Sequence, residues 1–181
     1  ENLRQFFSEI RHNRALLTLF LLTAAVEVLG FSHQVILPQL ARDVLGVGVE
    51  GLGIMNALRS AGGILAILLL TLLGEVRRQG LIYLVVLHLF GASLILLGLA
   101  NTFVVAMLAV ALINGAAALT DILSQSMMQT VVSNELRGRA MGSWVLAIGT
   151  APLGSLQIGA LASIFGAAFA LTVNGAGLLV L

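Results

Sequence analysis

Apolar runs of helix length, separated by short polar or charged turns, make up most of this 181-residue chain. A helix of about 20 apolar residues crosses a hydrocarbon core of roughly 30 Å. None of the runs alternates with a period of two, as the strands of a membrane barrel would. The pattern therefore predicts an all-α membrane protein with six transmembrane helices, at about 15–37, 51–74, 81–99, 103–131, 140–162 and 167–181.

The segment before the first run, residues 1–14, is polar and basic instead. Its apolar residues Leu3, Phe6, Phe7 and Ile10 recur at spacings of three and four, the pattern of an amphipathic helix at a membrane interface. We therefore expect a cytoplasmic linker or interfacial helix here. Because the chain begins without a methionine and stops inside an apolar run, we interpret it as a piece of a longer protein.

Composition supports a membrane protein, because 59% of the residues are hydrophobic and only 9% are charged. Soluble domains carry about 25% charged residues, so a water-soluble globular domain is excluded. The net charge of +1 disfavours a nucleic-acid partner. Without cysteine, these residues form no disulfides and offer no thiolate metal ligands. The predicted surroundings are the lipid bilayer.

The arginines indicate the orientation of the predicted helices. The chain has nine arginines and no lysine, and seven of the nine fall on one side of the membrane. Arg42 lies on the opposite side, and Arg59 lies inside a predicted helix. Because cytoplasmic loops are enriched in positive residues, we expect a multi-pass protein of the cytoplasmic (inner) cell membrane with both chain ends in the cytoplasm. The seven are Arg4, Arg11, Arg14, Arg77, Arg78, Arg137 and Arg139.

Five ionisable residues fall within the predicted helices, where a charge costs at least about 2.5–3.5 kcal/mol. Glu27 lies near the middle of the first helix and Asp121 near the middle of the fourth. We predict that these two carboxylates are proton- or ion-coupling sites. We interpret the two histidines as satisfied or interfacial side chains. The five residues are Glu27, His33, Arg59, His88 and Asp121.

Other polar residues share a helical stripe with each of the two carboxylates. Such stripes on otherwise apolar helices face a bundle interior or a water-filled cavity. The predicted cavity-lining residues are Thr23, Gln34, Asn114 and Gln125.

Arg59 is the predicted charge partner of this acidic region. At about 1.5 Å per residue, it lies at nearly the same membrane depth as Glu27 on the neighbouring helix. Two interpretations stay open: an ion pair between Glu27 and Arg59, or an arginine that reaches outward to the interface beside a protonated Glu27.

Small residues predict where helices approach each other closely, since glycine lets two backbones meet in lipid. A proline in the fifth helix should bend it, because it removes a backbone hydrogen bond. Whether these positions are static packing sites or a gating hinge stays open. The residues are Gly62, Gly63, Gly149, Pro152, Gly154 and Gly159.

No motif indicates catalysis. The chain has neither a nucleophile with a positioned base nor a phosphate-binding loop, and its histidines are not clustered with carboxylates. We therefore predict no enzyme activity, no metal and no cofactor.

The placement of polar residues predicts internal symmetry. The first and fourth helices carry the acidic stripes, whereas the third and sixth are poor in polar residues, as helices facing lipid would be. These are equivalent positions in two consecutive triplets, so we predict a 3+3 inverted repeat, although the two halves share no clear residue-level repeat.

Two turns and one longer run resemble a known family. The turn after the second helix has glycines at Gly74 and Gly80 around Arg77 and Arg78, and the run NELRGRAMG follows the fourth helix with Arg137, Gly138 and Arg139. Together they resemble the C-terminal half of a major facilitator superfamily transporter. Residues 37–73, with Arg59 and paired glycines, resemble the enterobactin-exporter-like and macrolide-efflux-like members in particular.

The resemblance implies half of a twelve-helix transporter whose partner is the N-terminal six-helix half of the same protein. It implies alternating access coupled to protons, with export of amphipathic small molecules of the drug or siderophore type. The turn departs from the fuller family pattern at Glu75, which follows the first glycine directly. Alternatives are a membrane scaffold that binds partners without transport, and a lipid or solute importer of the same fold.

Overall fold

The computed structural model describes residues 13–74 and 78–181, and the secondary structure of this described part is entirely helical. We number its six rods α1 to α6 in chain order, with a short 3-10 turn, Asn134–Leu136, between α4 and α5. The rods are α1 Arg14–Val44, α2 Gly48–Leu73, α3 Gln79–Gly98, α4 Phe103–Thr130, α5 Arg137–Phe165 and α6 Ala167–Val180.

The first rod is irregular. It contains two α-helical pieces, Arg14–Val26 and His33–Gln39, each followed by a π turn, Glu27–Phe31 and Leu40–Val44. A π turn holds one residue more than an α turn and often marks a functional position.

The predicted end of the first helix at Leu37 is corrected by this geometry. Pro38 lies inside a helical piece and the rod continues to Val44, beyond the predicted end of the first helix. A proline removes one backbone donor, and the wider π turn that follows accommodates the changed hydrogen-bonding register.

The fifth rod is interrupted at Gly149 and Thr150, between the helical pieces Arg137–Ile148 and Ala151–Phe165. Pro152 lies in the first turn of the second piece, where a backbone N–H would have no partner within the helix. The proline therefore starts a helix after the break. The second piece joins α6 through Gly166, whose φ of +89° favours glycine.

The rods pack in a defined order around α4. Both α2 and α3 pack along α4, and α3 also packs along α6. The second piece of α5 packs against α6 and the first π turn, and its first piece packs against the start of α1 and against α4. Phe90, Leu94, Ile113, Ile158 and Leu171 are fully enclosed at the centre of the bundle.

The outside of the bundle is apolar. Side chains such as Ile64, Leu72 and Leu156 are exposed, as a lipid-facing surface requires and a water-facing one avoids. Five rods, α1 to α5, are long and apolar enough to cross a membrane, and α6 is a shorter apolar helix of 14 residues. This all-helical arrangement is that of a multi-pass membrane protein.

Part of the predicted interfacial segment lies outside the described residues, which begin at Asn13, and so does Arg77. The Asn13 side chain caps α1, since its oxygen accepts a hydrogen bond from the Leu16 N–H at 3.1 Å.

Candidate functional site

The two predicted carboxylates come from two different rods, α1 and α4. Glu27 is the first residue of the π turn in α1 and is 6% exposed, and Asp121 on α4 is half-buried. They lie within electrostatic reach of one another, so two charged forms would repel. Neither carboxylate has a hydrogen-bond partner among the described residues, and none of their oxygens is fully enclosed. Both carboxylates therefore keep some accessible surface.

A third group, Tyr83 on α3, joins this acidic site. Its side chain is 2% exposed and lies within electrostatic reach of Asp121, and its hydroxyl has no hydrogen-bond partner in the described part of the chain. Sequence reasoning missed it. The available signal was that the chain has one tyrosine, placed inside an apolar run, where a buried phenol hydroxyl needs a polar neighbour.

Of the two interpretations left open for Arg59, the ion pair with Glu27 does not occur among the described residues. In residues 13–74 and 78–181, the ion pair present joins Arg42 and Asp43, with a 2.6 Å N–O distance, at the far end of α1. Arg59 is half-buried, and its charge lies within electrostatic reach of His33 instead. In this structure Arg59 therefore does not neutralise Glu27.

The four predicted cavity-lining residues fall into two kinds. The Thr23 hydroxyl donates to the Leu19 carbonyl at 2.8 Å, and the Asn114 amide donates to the Arg59 carbonyl at 2.8 Å. These two side chains are satisfied within the bundle. Gln34 and Gln125 are half-buried and make no hydrogen bond to a described residue.

An amide cluster surrounds the π turn that begins with Glu27. Asn174 of α6 is fully buried, and its amide nitrogen lies 3.0 Å from both the Leu29 carbonyl oxygen and the Ser32 hydroxyl. Its oxygen accepts from Gln157 of α5 at 2.8 Å. The sixth helix was expected to face lipid, but this polar residue lies in the interior.

Three close helix crossings depend on glycine. A methyl group at Gly62 would overlap the Ala111 carbonyl, which brings α2 onto α4. A methyl group at Gly154 would stand 2.5 Å from the Val28 carbonyl oxygen, which brings α5 onto α1. In the same way Gly91 and Gly175 bring α3 onto α6.

The remaining predicted packing or hinge positions differ from these. Gly63 faces the Asn114 amide, whereas a methyl group added at Gly159 would have no neighbour within 4 Å. Gly149 and Pro152 are exposed at the break in α5. The chain thus uses its small residues for two purposes, contact between helices and interruption of one helix.

The residues of the predicted cytoplasmic turns lie at helix ends. Gly74 ends α2 with a φ of +68°, and the exposed Arg78 precedes α3. In the other turn Arg137, Gly138 and Arg139 begin α5 and are exposed.

Two cavities lie away from the carboxylates. One of about 500 Å³ is lined by apolar side chains of α2, α3 and α4, including Leu65, Val86 and Leu112. The other, of about 450 Å³, lies between the end of α1 and the start of α2 and includes Arg42. Neither contains a predicted coupling residue.

The described residues hold no group of three or more histidine, aspartate or glutamate side chains placed to bind a metal. Comparisons of the chain with protein-family models, with curated proteins and with solved structures found no match. The functional argument therefore depends on the geometry of the acidic site.

Proposed function

We propose that this chain is the C-terminal six-helix half of a secondary transporter of the major facilitator type, exporting amphipathic small molecules in exchange for protons. The observation that carries the proposal is the placement of Glu27 and Asp121. They come from two different helices, lie within electrostatic reach of each other among apolar residues, and have oxygens that are not fully enclosed. Carboxylates in such surroundings are expensive and mark ion or substrate pathways.

The chemistry of the pair suits coupling to protons. Two carboxylates within electrostatic reach repel when both are charged, and binding of one proton relieves that repulsion. A site that gains and loses one proton can change its charge as the transporter alternates between the two sides of the membrane. The nearby unpartnered Gln34 and Gln125 offer amide groups for an amphipathic substrate.

The order of helix packing supports the 3+3 repeat. Exchanging α1–α3 with α4–α6 turns the contact of α2 with α4 into the contact of α5 with α1, and both contacts occur. It also turns the α3–α4 contact into the contact between α6 and α1, and maps the α3–α6 contact onto itself. The glycines at the first two crossings, Gly62 and Gly154, occupy corresponding helices.

The rest of the proposal follows the same architecture. The N-terminal half of the same protein is the proposed partner and would supply the opposing wall of the substrate path. The arginine distribution supports an inner-membrane protein with both ends of this half in the cytoplasm.

The test is transport by the full-length protein in proteoliposomes with an imposed proton gradient. Ethidium, an amphipathic fluorescent cation, serves as the substrate probe, and an internal pH dye reports proton movement. We expect Glu27→Gln and Asp121→Asn each to abolish gradient-driven ethidium transport. The matched control is Glu50→Gln, which neutralises an exposed carboxylate at the start of α2.

Each alternative gives a different result. If both neutralised variants still drive ethidium against its gradient, the two carboxylates do not couple transport to protons. Ethidium transport that runs in the import direction favours the importer. Failure of the unmutated protein to move any amphipathic probe favours the scaffold.

A further inference from the structure

We propose that Asn174 is a positioning residue, which holds the π turn Glu27–Phe31 open and thereby directs the Glu27 carboxylate toward Asp121. Asn174 lies on α6, five helices away in sequence, and does not itself belong to the acidic site. The consequence for transport rests on the proposed function, whereas the effect on the orientation of Glu27 does not.

The first step concerns the hydrogen bonds of the π turn. Where this turn meets the next helical piece, side chains add hydrogen bonds to its backbone carbonyls. The Gly30 carbonyl also accepts from the Ser32 N–H, and the Leu29 carbonyl accepts from the Ser32 hydroxyl at 3.5 Å. The Asn174 amide nitrogen donates to the Leu29 carbonyl at 3.0 Å, and the His33 Nδ1–H donates to the Gly30 carbonyl at 2.7 Å. Ser32, at the junction itself, accepts a second bond from Asn174 at 3.0 Å.

The second step concerns the direction of the Asn174 amide. Gln157 of α5 donates to the Asn174 oxygen at 2.8 Å. An amide that accepts on its oxygen side presents its two N–H donors on the other side, toward Leu29 and Ser32. All three amide contacts lie inside the bundle, where an unsatisfied polar group is costly. The cluster therefore fixes one arrangement of the turn.

The third step concerns the backbone around the turn. Gly154 of α5 lies directly against the Val28 backbone, and Gly30 lies against the Phe90 ring of α3. A methyl group at Gly177 of α6 would stand 3.0 Å from the Leu29 side chain. Three helices thus enclose the turn, and an unusual backbone geometry that is held this firmly is a mark of functional sites.

The fourth step links the turn to Glu27. A π turn contains one residue more than an α turn, and each residue rotates a helix by about 100°. If the segment returned to α-helical hydrogen bonding, the part of α1 that carries Glu27 would rotate by about that angle relative to the part after Ser32. The Glu27 carboxylate would then lose its present direction relative to Asp121. Asn174 bonds to the Leu29 carbonyl and to Ser32 in the π-turn geometry, so it favours the direction that this geometry gives Glu27.

The experiment uses thiol labelling in the full-length protein to determine which face of α1 is accessible to a reagent. The 181 residues contain no cysteine, so a cysteine introduced into α1 is the reactive thiol of this half, and any cysteine elsewhere is first replaced. Single cysteines at positions 23, 24, 26, 27 and 28 are labelled with a water-soluble, charged methanethiosulfonate. The set is repeated in the Asn174→Leu background.

We expect position 27 to be labelled in the Asn174 protein and its labelling rate to fall by about an order of magnitude in Asn174→Leu, because thiol reactivity follows exposure. The most reactive position should move by one residue along α1. The matched control is Asn114→Leu, which removes another hydrogen bond from an asparagine amide to a backbone carbonyl of a different helix, that of Arg59, without touching the π turn. It should leave the labelling pattern of α1 unchanged.

An unchanged labelling pattern in Asn174→Leu overturns the proposal, and so does an equal change in Asn114→Leu. If Asn174→Leu does not assemble, two other variants replace it. Asn174→Asp keeps the size of the side chain and removes its amide donors, and the same shift of the labelling pattern is expected. Asn174→Ala is the third variant. The outcome is separate from the transport test. A shifted pattern together with proton-driven transport that survives Glu27→Gln keeps the positioning role and rejects the coupling role of Glu27.

Discussion

The α2–α4 crossing and the α1–α5 crossing contain the same two kinds of contact, but they differ in how regular their helices are. Each brings a glycine, Gly62 or Gly154, against the backbone of the partner helix. A polar side chain reaches a backbone carbonyl across each of them: Asn114 bonds to Arg59 at 2.8 Å, and Thr150 bonds to Ala24 at 3.4 Å. However, α2 is a regular helix of 26 residues, whereas α1 contains two π turns.

This difference coincides with the location of the chemistry. The irregular crossing contains Glu27 at the start of its π turn and the buried amide cluster around Asn174. The regular crossing has Arg59 on α2 and, further along α4, Asp121, and both of its helices lack a π turn. Close packing alone therefore does not distinguish the functional side of the bundle. What distinguishes it is a backbone irregularity that several other helices stabilise.

The largest loss of stability is expected from adding a methyl group at either of the two glycine contacts. A methyl group at Gly62 or Gly154 meets backbone atoms, which cannot rotate away as a side chain can. Overpacking of this kind costs about 1–3 kcal/mol. We expect Gly62→Ala and Gly154→Ala to lower the thermal unfolding midpoint in detergent clearly, whereas Gly159→Ala, with open space around it, should not.

The same pair of variants separates the two crossings. Gly154→Ala pushes on the Val28 backbone inside the π turn, so it should also change thiol labelling at position 27. Gly62→Ala should leave that labelling unchanged. If both glycine variants alter position 27 equally, the two crossings are coupled, and the regular side is not independent of the irregular one.

The general architecture could be predicted from the sequence because it depends on length and apolar composition. The six helical rods occur near the predicted positions, and α4 begins at Phe103 as expected. The continuation of α1 through Pro38 could not be predicted, because proline usually ends a helix and π turns have no clear sequence signature. The break in α5 falls just before Pro152, where the sequence suggested a bend.

The two carboxylates of the candidate site could be predicted from the sequence, but the residues that lie near them could not. Glu27 and Asp121 are visible in the sequence because a charge inside an apolar run is rare. Their mutual proximity, and the addition of Tyr83, depend on how α1, α3 and α4 rotate about their axes. Equal membrane depth suggested that Arg59 pairs with Glu27, but depth does not fix that rotation. Asn174 looked like an isolated polar residue for the same reason.

A smaller loss of stability is expected from removing the side-chain hydrogen bond of Asn114 at the α2–α4 crossing. Asn114→Leu removes the bond to the Arg59 carbonyl, and interhelical hydrogen bonds in membrane proteins contribute about 0.6 kcal/mol on average and up to about 1.7 kcal/mol. Asn174→Leu removes two donated bonds and one accepted bond, so its unfolding midpoint should fall further. Thermal unfolding of both variants side by side checks the order. Equal losses would mean that the amide cluster adds no more stability than a single bond.

The smallest loss of stability is expected from removing the Thr150 hydroxyl. It donates to the Ala147 carbonyl of its own helix at 2.7 Å and only at 3.4 Å to Ala24 across the α1–α5 crossing. A hydrogen bond this long is weak, so Thr150→Val should lower stability by no more than about 0.5 kcal/mol. Thr172→Val is the matched control, because that half-buried hydroxyl bonds within its own helix at 2.9 Å. A midpoint loss for Thr150→Val as large as that for Asn114→Leu would show that this hydroxyl is a principal tether. In that case each crossing would depend on one strong hydrogen bond, that of Asn114 at α2–α4 and that of Thr150 at α1–α5. The hydrogen bonds around Asn174 would then not be the feature that distinguishes the α1–α5 crossing.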